Sequence, residues 1–447
     1  MEMSKPEDRK TPAIEPYVDS IAMPENLKVG IMIAEARAKC STISCPFDYH
    51  AFAFGQSPFP VPEPLVQALK DSAALGHYSA AEGIEQLRVA IADFNKRHFG
   101  IDVEPGRIVV GPGTKSLIHD VFFILQGGVI IPSPSWIGYF PQVKLMSKHF
   151  HTLPLRPENG YRIDPDQLDH FVSRLHAEQH ILVLNNPHNP TGAVYTEQHL
   201  RAIAEVARKH NILIVADEIY ALSTYEFDRF VSMAKIYPEG TFVTNGLSKD
   251  RSAGGYRLGY VVLPENGWER LADAFRKVAA TVFTNTATPI QYAAVKAFQP
   301  NETIERYFEA TRGIHRAMGT YLSKAFAEIE GLEVTMPEGG FYFFVNFNGI
   351  KDALRKKGVS DSNSLAHALL SHPYHFAAVT GDACLLDPDD YGARIAFVDY
   401  DGAAALEAWL ASPPSGPDER ARFVEKHAPR MVEGIATLKH WVKDMVG

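Results

Sequence analysis

The feature that most restricts how this chain can fold is a series of seven short apolar runs with almost no internal alternation, spread over residues 107–263. They are Arg107–Val110, Val129–Ile131, His149–Leu153, His180–Leu184, Ile212–Ala216, Thr241–Thr244 and Leu258–Leu263. A strand wetted on one face alternates polar and apolar residues, whereas a strand covered on both faces reads as an unbroken apolar run. Between the runs lie stretches with helical spacing, such as Lys115–Leu125 and Glu197–His210. This rhythm predicts an α/β fold: a large domain built on a seven-stranded, mainly parallel sheet with helices on both faces.

The rhythm changes after Pro264. Helical spacing covers 265–279, 287–298 and Glu302 to about Glu330, and a strand-rich segment, Glu333–Asn346, follows. Late strands are expected at Phe376–Val379 and Arg394–Val398. Ahead of the large sheet, Phe52–Pro60 reads as a strand running into a Gly/Pro turn, with helices from about Pro64 and over Ile84–His98. The 447 residues therefore divide into an N-terminal arm (1–20), a large domain (76–309) and a smaller α+β domain made from 21–75 and 310–447. The arm is expected to be mobile. Ser412–Asp418, rich in proline, reads as a polar loop before a last helix over 429–445.

Charge and cysteine usage narrow the function classes. The chain has 44 Lys+Arg against 53 Asp+Glu and no basic run, which argues against nucleic acid and anionic membranes as partners. No window approaches the length of a membrane span. Cys40, Cys45 and Cys384 are too few and too scattered for a disulfide framework or a metal pair. Met1–Pro16 carries no apolar signal core, so a cytoplasmic protein is expected and the Asn301-Glu-Thr303 sequon is read as a chance match. His149 and His151 share a strand face but lack a third ligand, so no metal is expected.

In open α/β sheets, ligands sit beyond the carboxyl ends of the strands, so the polar residues that directly follow the apolar runs carry the chemistry. Gly111-Pro-Gly-Thr-Lys-Ser116 opens a helix and aims free amides at any anion in front of it; it is neither a Walker A loop nor a GxGxxG turn. Asn185–Gly192 is a Pro/Gly-rich turn. Asp217, Glu218 and Tyr220 end a fully apolar run, where a buried carboxylate is costly without a partner. Asn245-Gly-Leu-Ser-Lys249 ends the next one.

Taken together, these pieces resemble the fold-type I pyridoxal-phosphate (PLP) enzymes, specifically the class I/II aminotransferases and, among them, the bacterial subgroup I-gamma aspartate aminotransferases. The resemblance runs from Gly55 to Arg394. It is carried by Tyr78 with Gly83 and Leu87-Arg88, Pro132-Ser-Pro-Ser-Trp136, Asn189-Pro-Thr-Gly192, Asp217-Glu-Ile-Tyr220, Asn245–Lys249 with Arg257-Leu-Gly-Tyr260, and Arg394-Ile-Ala-Phe397.

The resemblance implies a PLP-dependent transfer of an amino group between an amino acid and a 2-oxo acid. Lys249 would carry the cofactor through its amine and then move the substrate Cα proton. Asp217 would keep the pyridine nitrogen protonated, with Glu218 facing away. Asn189 and Tyr220 would hydrogen-bond the cofactor's phenolic oxygen, and Trp136 would stack on its ring. The amides around Gly113, Thr114 and Lys115 would hold the phosphate with Arg257, which stands eight residues after Lys249. Tyr78 would reach the phosphate from a partner subunit, which implies a homodimer. Arg394 would grip the substrate α-carboxylate, helped by Gly55 and flanked by Trp136 and Asn189. Lys115 matches the lysine of the subgroup's G-x-K motif, and Thr281–Thr286 holds no arginine to do its work, so an acidic side chain such as that of aspartate or glutamate is expected.

There are departures from the pattern. Asp250 after the lysine is shared with the lyase that makes 1-aminocyclopropane-1-carboxylate, and Ser116 and Leu117 differ from the residues usual after the G-x-K motif. The same cofactor supports cleavage of other Cα bonds, so the alternatives are a lyase, decarboxylase or oxidase, or a non-catalytic PLP-binding protein. His188 is expected to support the site from behind or to lie on the surface.

Overall fold

Apolar runs with no polar face must be covered on both sides, and that is how they are used. The computed structural model describes residues 14–21, 23, 25–39 and 49–447. Among them the strands are, in chain order, β1 (His50–Ala51), β2 (Ile108–Gly111), β3 (Gly128–Ser133), β4 (Phe150–Pro154), β5 (His180–Asn185), β6 (Ile212–Asp217), β7 (Thr241–Gly246), β8 (Gly259–Val262), β9 (Glu333–Val334), β10 (Tyr342–Asn346), β11 (Phe376–Ala377), β12 (Val379–Thr380) and β13 (Gly392–Ala396). All seven predicted runs enter one sheet, in the order β2-β8-β7-β6-β5-β3-β4. Its strands pair in parallel except β8, which runs antiparallel between β2 and β7. Every residue of β2, β3, β5 and β7 is buried.

Strand register sets which side chains meet at the sheet's edge. Asn185 on β5 lies beside Asp217 on β6, and Asp217 lies beside Thr244 on β7. Three polar side chains thus come together at the carboxyl ends of the strands. The covering helices are set by ordinary means: Glu197–Lys209 starts where the Thr196 hydroxyl accepts the His199 amide, and it buries Leu200, Ile203, Ala204 and Ala207 on one face. Asn301, the sequon residue, caps the 26-residue helix Glu302–Ala327 by accepting the Ile304 amide.

A second, antiparallel sheet has the order β12-β13-β10-β9, and β1 pairs with β11 beside it. Three expectations shift here. Only His50–Ala51 of the N-terminal segment is strand, and residues from Phe52 to Pro62 form no ladder, with bends at Ala53 and Phe59. Pro58, Pro60 and Pro62 have no amide to donate, and the carbonyls of Ala53 and Gly55 are turned to Arg394 and Lys249 instead. The late run Phe376–Val379 breaks at Ala378, so that β11 and β12 serve different sheets. The polar loop after Ala411 ends at Gly416, because Pro417 takes the first position of a helix, Pro417–His427, that buries Phe423 and Val424. That helix packs on Glu302–Ala327 ahead of the last helix, Pro429–Val446.

The described part of the arm, Pro16–Asp19, is one helical turn packed beside Tyr139–Leu145, and the Ser20 carbonyl accepts from Lys144. Cys40 and Cys45 lie outside the described residues, and Cys384 is buried. No helix among the described residues is long and apolar enough to cross a membrane, and no group of three His, Cys, Asp or Glu among them is placed to share a metal ion.

One buried ion pair anchors the segment that leaves β7. Arg251 is fully buried, bonds Asp250 at 2.8 Å and donates twice to the Ala297 carbonyl. Its guanidinium lies 4.7, 4.4 and 4.8 Å from the ring centres of Phe94, Phe298 and Phe308, which come from three different helices. Removing one partner of such a pair strands the other charge in the core. Asp250→Ala should therefore cost about 3–5 kcal/mol in urea unfolding, and the double change Asp250→Ala with Arg251→Met should recover most of it. A single variant as stable as the parent would show that the pair anchors nothing.

Candidate active site

The three-strand register sets Asp217 at the floor of a cleft. The carboxylate is 5% exposed; one oxygen accepts the Tyr139 hydroxyl at 2.7 Å and the other accepts Thr244 Oγ1 at 3.2 Å. Burial pushes its pKa above the ordinary carboxylate value, while these hydrogen bonds, the Ile219 amide and the Lys249 charge pull the other way. Burial and the adjacent Asp217 charge push the Tyr139 phenol well above its usual value, so it stays a donor. A neutralising group brought to this carboxylate would be held firmly.

The cleft above has a volume of about 640 Å³. Lys249 enters it just past the end of β7, and its ammonium donates to the Gly55 carbonyl at 2.8 Å. That carbonyl can approach because position 55 has no side chain: a Cβ there would collide with the Tyr342 hydroxyl. Tyr220 closes the same side, its ring 5.7 Å from the Lys249 nitrogen and its hydroxyl donating to Tyr342 at 3.2 Å.

An anion cradle stands at the other end. The helix Thr114–Ile124 starts after Gly113 with no side chain capping its first turn, so its leading amides face the cleft beside Thr114 and Lys115. Gly113 has φ +93° and faces the Arg257 guanidinium so closely that a Cβ would overlap it. Arg257 donates to the carbonyls of Gly254 and Pro112, which aims it at the same spot.

Across the cleft, Arg394 on β13 is 4% exposed. It donates to the Ala53 carbonyl at 2.8 Å, lies 3.5 Å from Asn189 Oδ1, and leaves its Nε buried without a hydrogen-bond partner. Lys115 reaches over Trp136, 5.2 Å from its ring centre, and Trp136 meets Tyr139 edge-on. Partial burial and the neighbouring Arg257 and Lys249 charges lower the Lys115 pKa.

Of the residues singled out in the sequence, Gly55, Thr114, Lys115, Trp136, Asn189, Asp217, Tyr220, Lys249 and Arg257 line this cleft, and Gly113 and Arg394 border it. Tyr78 does not; it is 85% exposed. Glu218 faces away, accepting from Ser232 and the Met233 amide, with burial pushing it up to about 8. His188 is buried rather than on the surface; its Nδ1 pairs with Thr191 and burial takes its pKa down to about 4. Asp250 points out of the cleft to Arg251.

Four participants were not singled out from the sequence: Tyr139, Thr244, Asn185 and Tyr342. Asn185 joins two site residues, donating to the Asp217 carbonyl and accepting the Asn189 amide. Its place at the very end of an apolar run could have marked it, as could the position of Thr244 in the neighbouring run. Nothing local marks Tyr139 or Tyr342, which reach the site through packing.

A family model described as aminotransferase class I and II matches residues 48–397. The aspartate aminotransferase of Bacillus subtilis is 34% identical over 325 residues, covering 71% of this chain and 79% of the relative. The asparagine–oxo-acid transaminase of Streptococcus mutans is 33% identical over 344 residues, covering 75% and 84%. In fold, the aspartate aminotransferase of Thermus thermophilus with maleate superposes with a TM-score of 0.78 over 96% of this chain and 100% of that one, at 23% identity. A match across most of the chain, joined to a lysine, a buried carboxylate and an anion cradle in one cleft, makes this chain a member of the class I and II aminotransferases.

Proposed function

We propose that this aminotransferase binds pyridoxal phosphate in the cleft and exchanges amino groups between aspartate or glutamate and 2-oxo acids. The observation that carries the reading is the placement of Lys249, the Tyr139-supported Asp217 and the Gly113/Arg257 cradle around one cleft. The donor set suits the cofactor: uncapped helix amides and a guanidinium for a phosphate, a buried carboxylate for a ring nitrogen, and an amine for a carbonyl.

When bound, the cofactor supplies a carbonyl that takes the amino group and a ring that accepts the electron pair left at Cα. The chain's own residues do the rest. Asp217 holds a proton at the ring nitrogen, and Tyr139 and Thr244 keep its carboxylate aimed there. The Lys249 amine, freed from the Gly55 carbonyl, takes the proton from Cα. Asn189 and Tyr220 donate to the phenolic oxygen. Arg394, with Nε to spare, receives the α-carboxylate through its planar fork. Lys115 faces the far end of the substrate and meets its acidic side chain. That preference is supported by the relatives named for aspartate. Tyr78, exposed here, is assigned to the phosphate of a neighbouring subunit in a cytoplasmic homodimer. Asp250, the residue shared with the lyase, is committed to Arg251 and points out of the cleft.

Adding aspartate or glutamate to the yellow protein should shift its absorbance to a shorter-wavelength band with the matching 2-oxo acid released, and borohydride added before any amino acid should fix the cofactor to Lys249. Failure of every amino acid to give the shift, or an adduct on another lysine, would overturn the reading. Asp217→Asn should lower kcat by roughly a thousand- to a hundred-thousand-fold, about 4–7 kcal/mol, since a neutral ring is a poor electron sink. A loss below tenfold would remove Asp217 from that role. Lys115→Ala should lower kcat/KM for aspartate by roughly 30- to 1000-fold while leaving alanine within a few-fold, because only the acidic substrate uses the charge. Equal losses for both would mean that Lys115 serves the phosphate alone.

A further inference from the structure

Tyr342, on β10 in the smaller sheet, is 3% exposed and touches three residues of the cleft at once. Its hydroxyl accepts from Tyr220 at 3.2 Å and donates to the Gly55 carbonyl at 3.4 Å, the same carbonyl that holds Lys249. Its ring face carries the Arg394 guanidinium, 4.8 Å from the ring centre. We infer that Tyr342 is a positioning residue with two separable tasks, its hydroxyl supporting Tyr220 and its ring holding Arg394. This assignment rests on the proposed roles of those two residues.

The task of the hydroxyl follows from counting hydrogens. Tyr220 has one phenolic hydrogen, and here it goes to Tyr342, which passes its own to Gly55. An anionic ligand oxygen within reach of Tyr220 is the stronger acceptor and takes that hydrogen. The Tyr220 oxygen, buried, then needs a donor, and the Tyr342 hydroxyl can turn from Gly55 to supply it. A phenol that accepts a hydrogen bond is the better donor, so Tyr342 strengthens the hold of Tyr220 on the anion. Other groups also act on Tyr220: Lys249, Arg394 and Asp217 by charge, and Tyr139 nearby. Tyr342→Phe leaves all of them in place and removes only the hydroxyl.

The ring acts on Arg394. A guanidinium stacked on an aromatic face in a dry site gains electrostatic attraction and loses freedom to swing, both of which keep its fork aimed at a carboxylate. Phenylalanine keeps this face; leucine does not.

The two tasks separate in the holoenzyme. In Tyr342→Phe, the proton shared between the cofactor's phenolic oxygen and the Lys249 nitrogen should be lost at higher pH. The midpoint of the absorbance titration should rise by about half a unit to one unit. Equilibrium binding of maleate, a dicarboxylate that cannot react, should stay within about twofold of the parent. In Tyr342→Leu the titration should shift by the same amount, and maleate should bind about three- to tenfold more weakly. A Phe variant that titrates like the parent overturns the hydroxyl task, and a Leu variant that binds maleate like the parent overturns the ring task. Equal weakening of maleate binding in both variants overturns the separation. Both readouts are taken without turnover, so they stand apart from the amino acid test of the parent enzyme, whose failure would instead strike the proposed function. Should the Leu variant not fold, the Phe variant, with the same ring in the same space, still decides the hydroxyl task.

Discussion

The site is built around one carboxylate set in a place where burial opposes charge. Asp217 ends an apolar strand in the middle of a seven-stranded sheet, and water is largely excluded from it. Two hydroxyls, the Ile219 amide and the charge of Lys249 offset part of that cost, and the remainder is a standing attraction for a proton carried on a ligand. The donors come from neighbours in space: Thr244 from the next strand and Tyr139 from a helix after β3. Sheet register is therefore part of the chemistry. A slip of one residue between β6 and β7 would turn the Thr244 hydroxyl to the opposite face.

Around that fixed point the cleft is polarised. Cationic groups converge on it from three directions: Lys249 past the end of β7, Arg257 beside the leading amides of Thr114–Ile124, and Arg394 from the second sheet. The negative partners present are mostly carbonyl oxygens: those of Gly55, Gly254, Pro112 and Ala53. Neutral carbonyls orient a cation without cancelling it, so the cleft keeps its positive character for an anionic guest. The irregular segment after Phe52 supplies two of these carbonyls. It can do so because it forms no ladder that would consume them.

The second sheet contributes differently. Arg394 and Tyr342 sit on adjacent antiparallel strands, β13 and β10, and both lean into the cleft formed at the edge of the first sheet. The long helix Glu302–Ala327 touches β9 and β10 and also the turn after Tyr220, so both sides of the cleft are braced by one rigid element. The Asp250–Arg251 pair fastens the segment after Lys249 to helices that carry Phe94, Phe298 and Phe308. The lysine thus stands on a stiff base while its own side chain remains the movable part.

Local chemistry was enough to read much of this from the chain. Strands covered on both faces cannot hide their composition, so all seven runs of the large sheet were visible, and a charged or phenolic residue directly after such a run has few places to go except the strand-end cleft. Lys249, Asp217 and Tyr220 were legible for that reason and Gly113 by its place before a helix start, whereas Asn189 and Arg257 were reached through the family resemblance, Arg257 by standing eight residues after Lys249. The helix Pro417–His427 was hidden because the prolines before it read as a loop, and the strand expected over Phe52–Pro60 dissolved because its carbonyls serve the cleft instead of a neighbour. Tyr139 and Tyr342 carry no local mark of their role, and Thr244 has only its place near the end of an apolar run. Tyrosine and threonine are ordinary core and strand residues, and what makes these three part of the site is which carboxylate, phenol or guanidinium lies across from them. The sequence by itself determined the sheet and the residues at its edge, since burial and strand-end position are written in local pattern. Only the tertiary structure decided their partners, because a hydrogen bond between residues 78 or 122 positions apart depends on how separate elements pack.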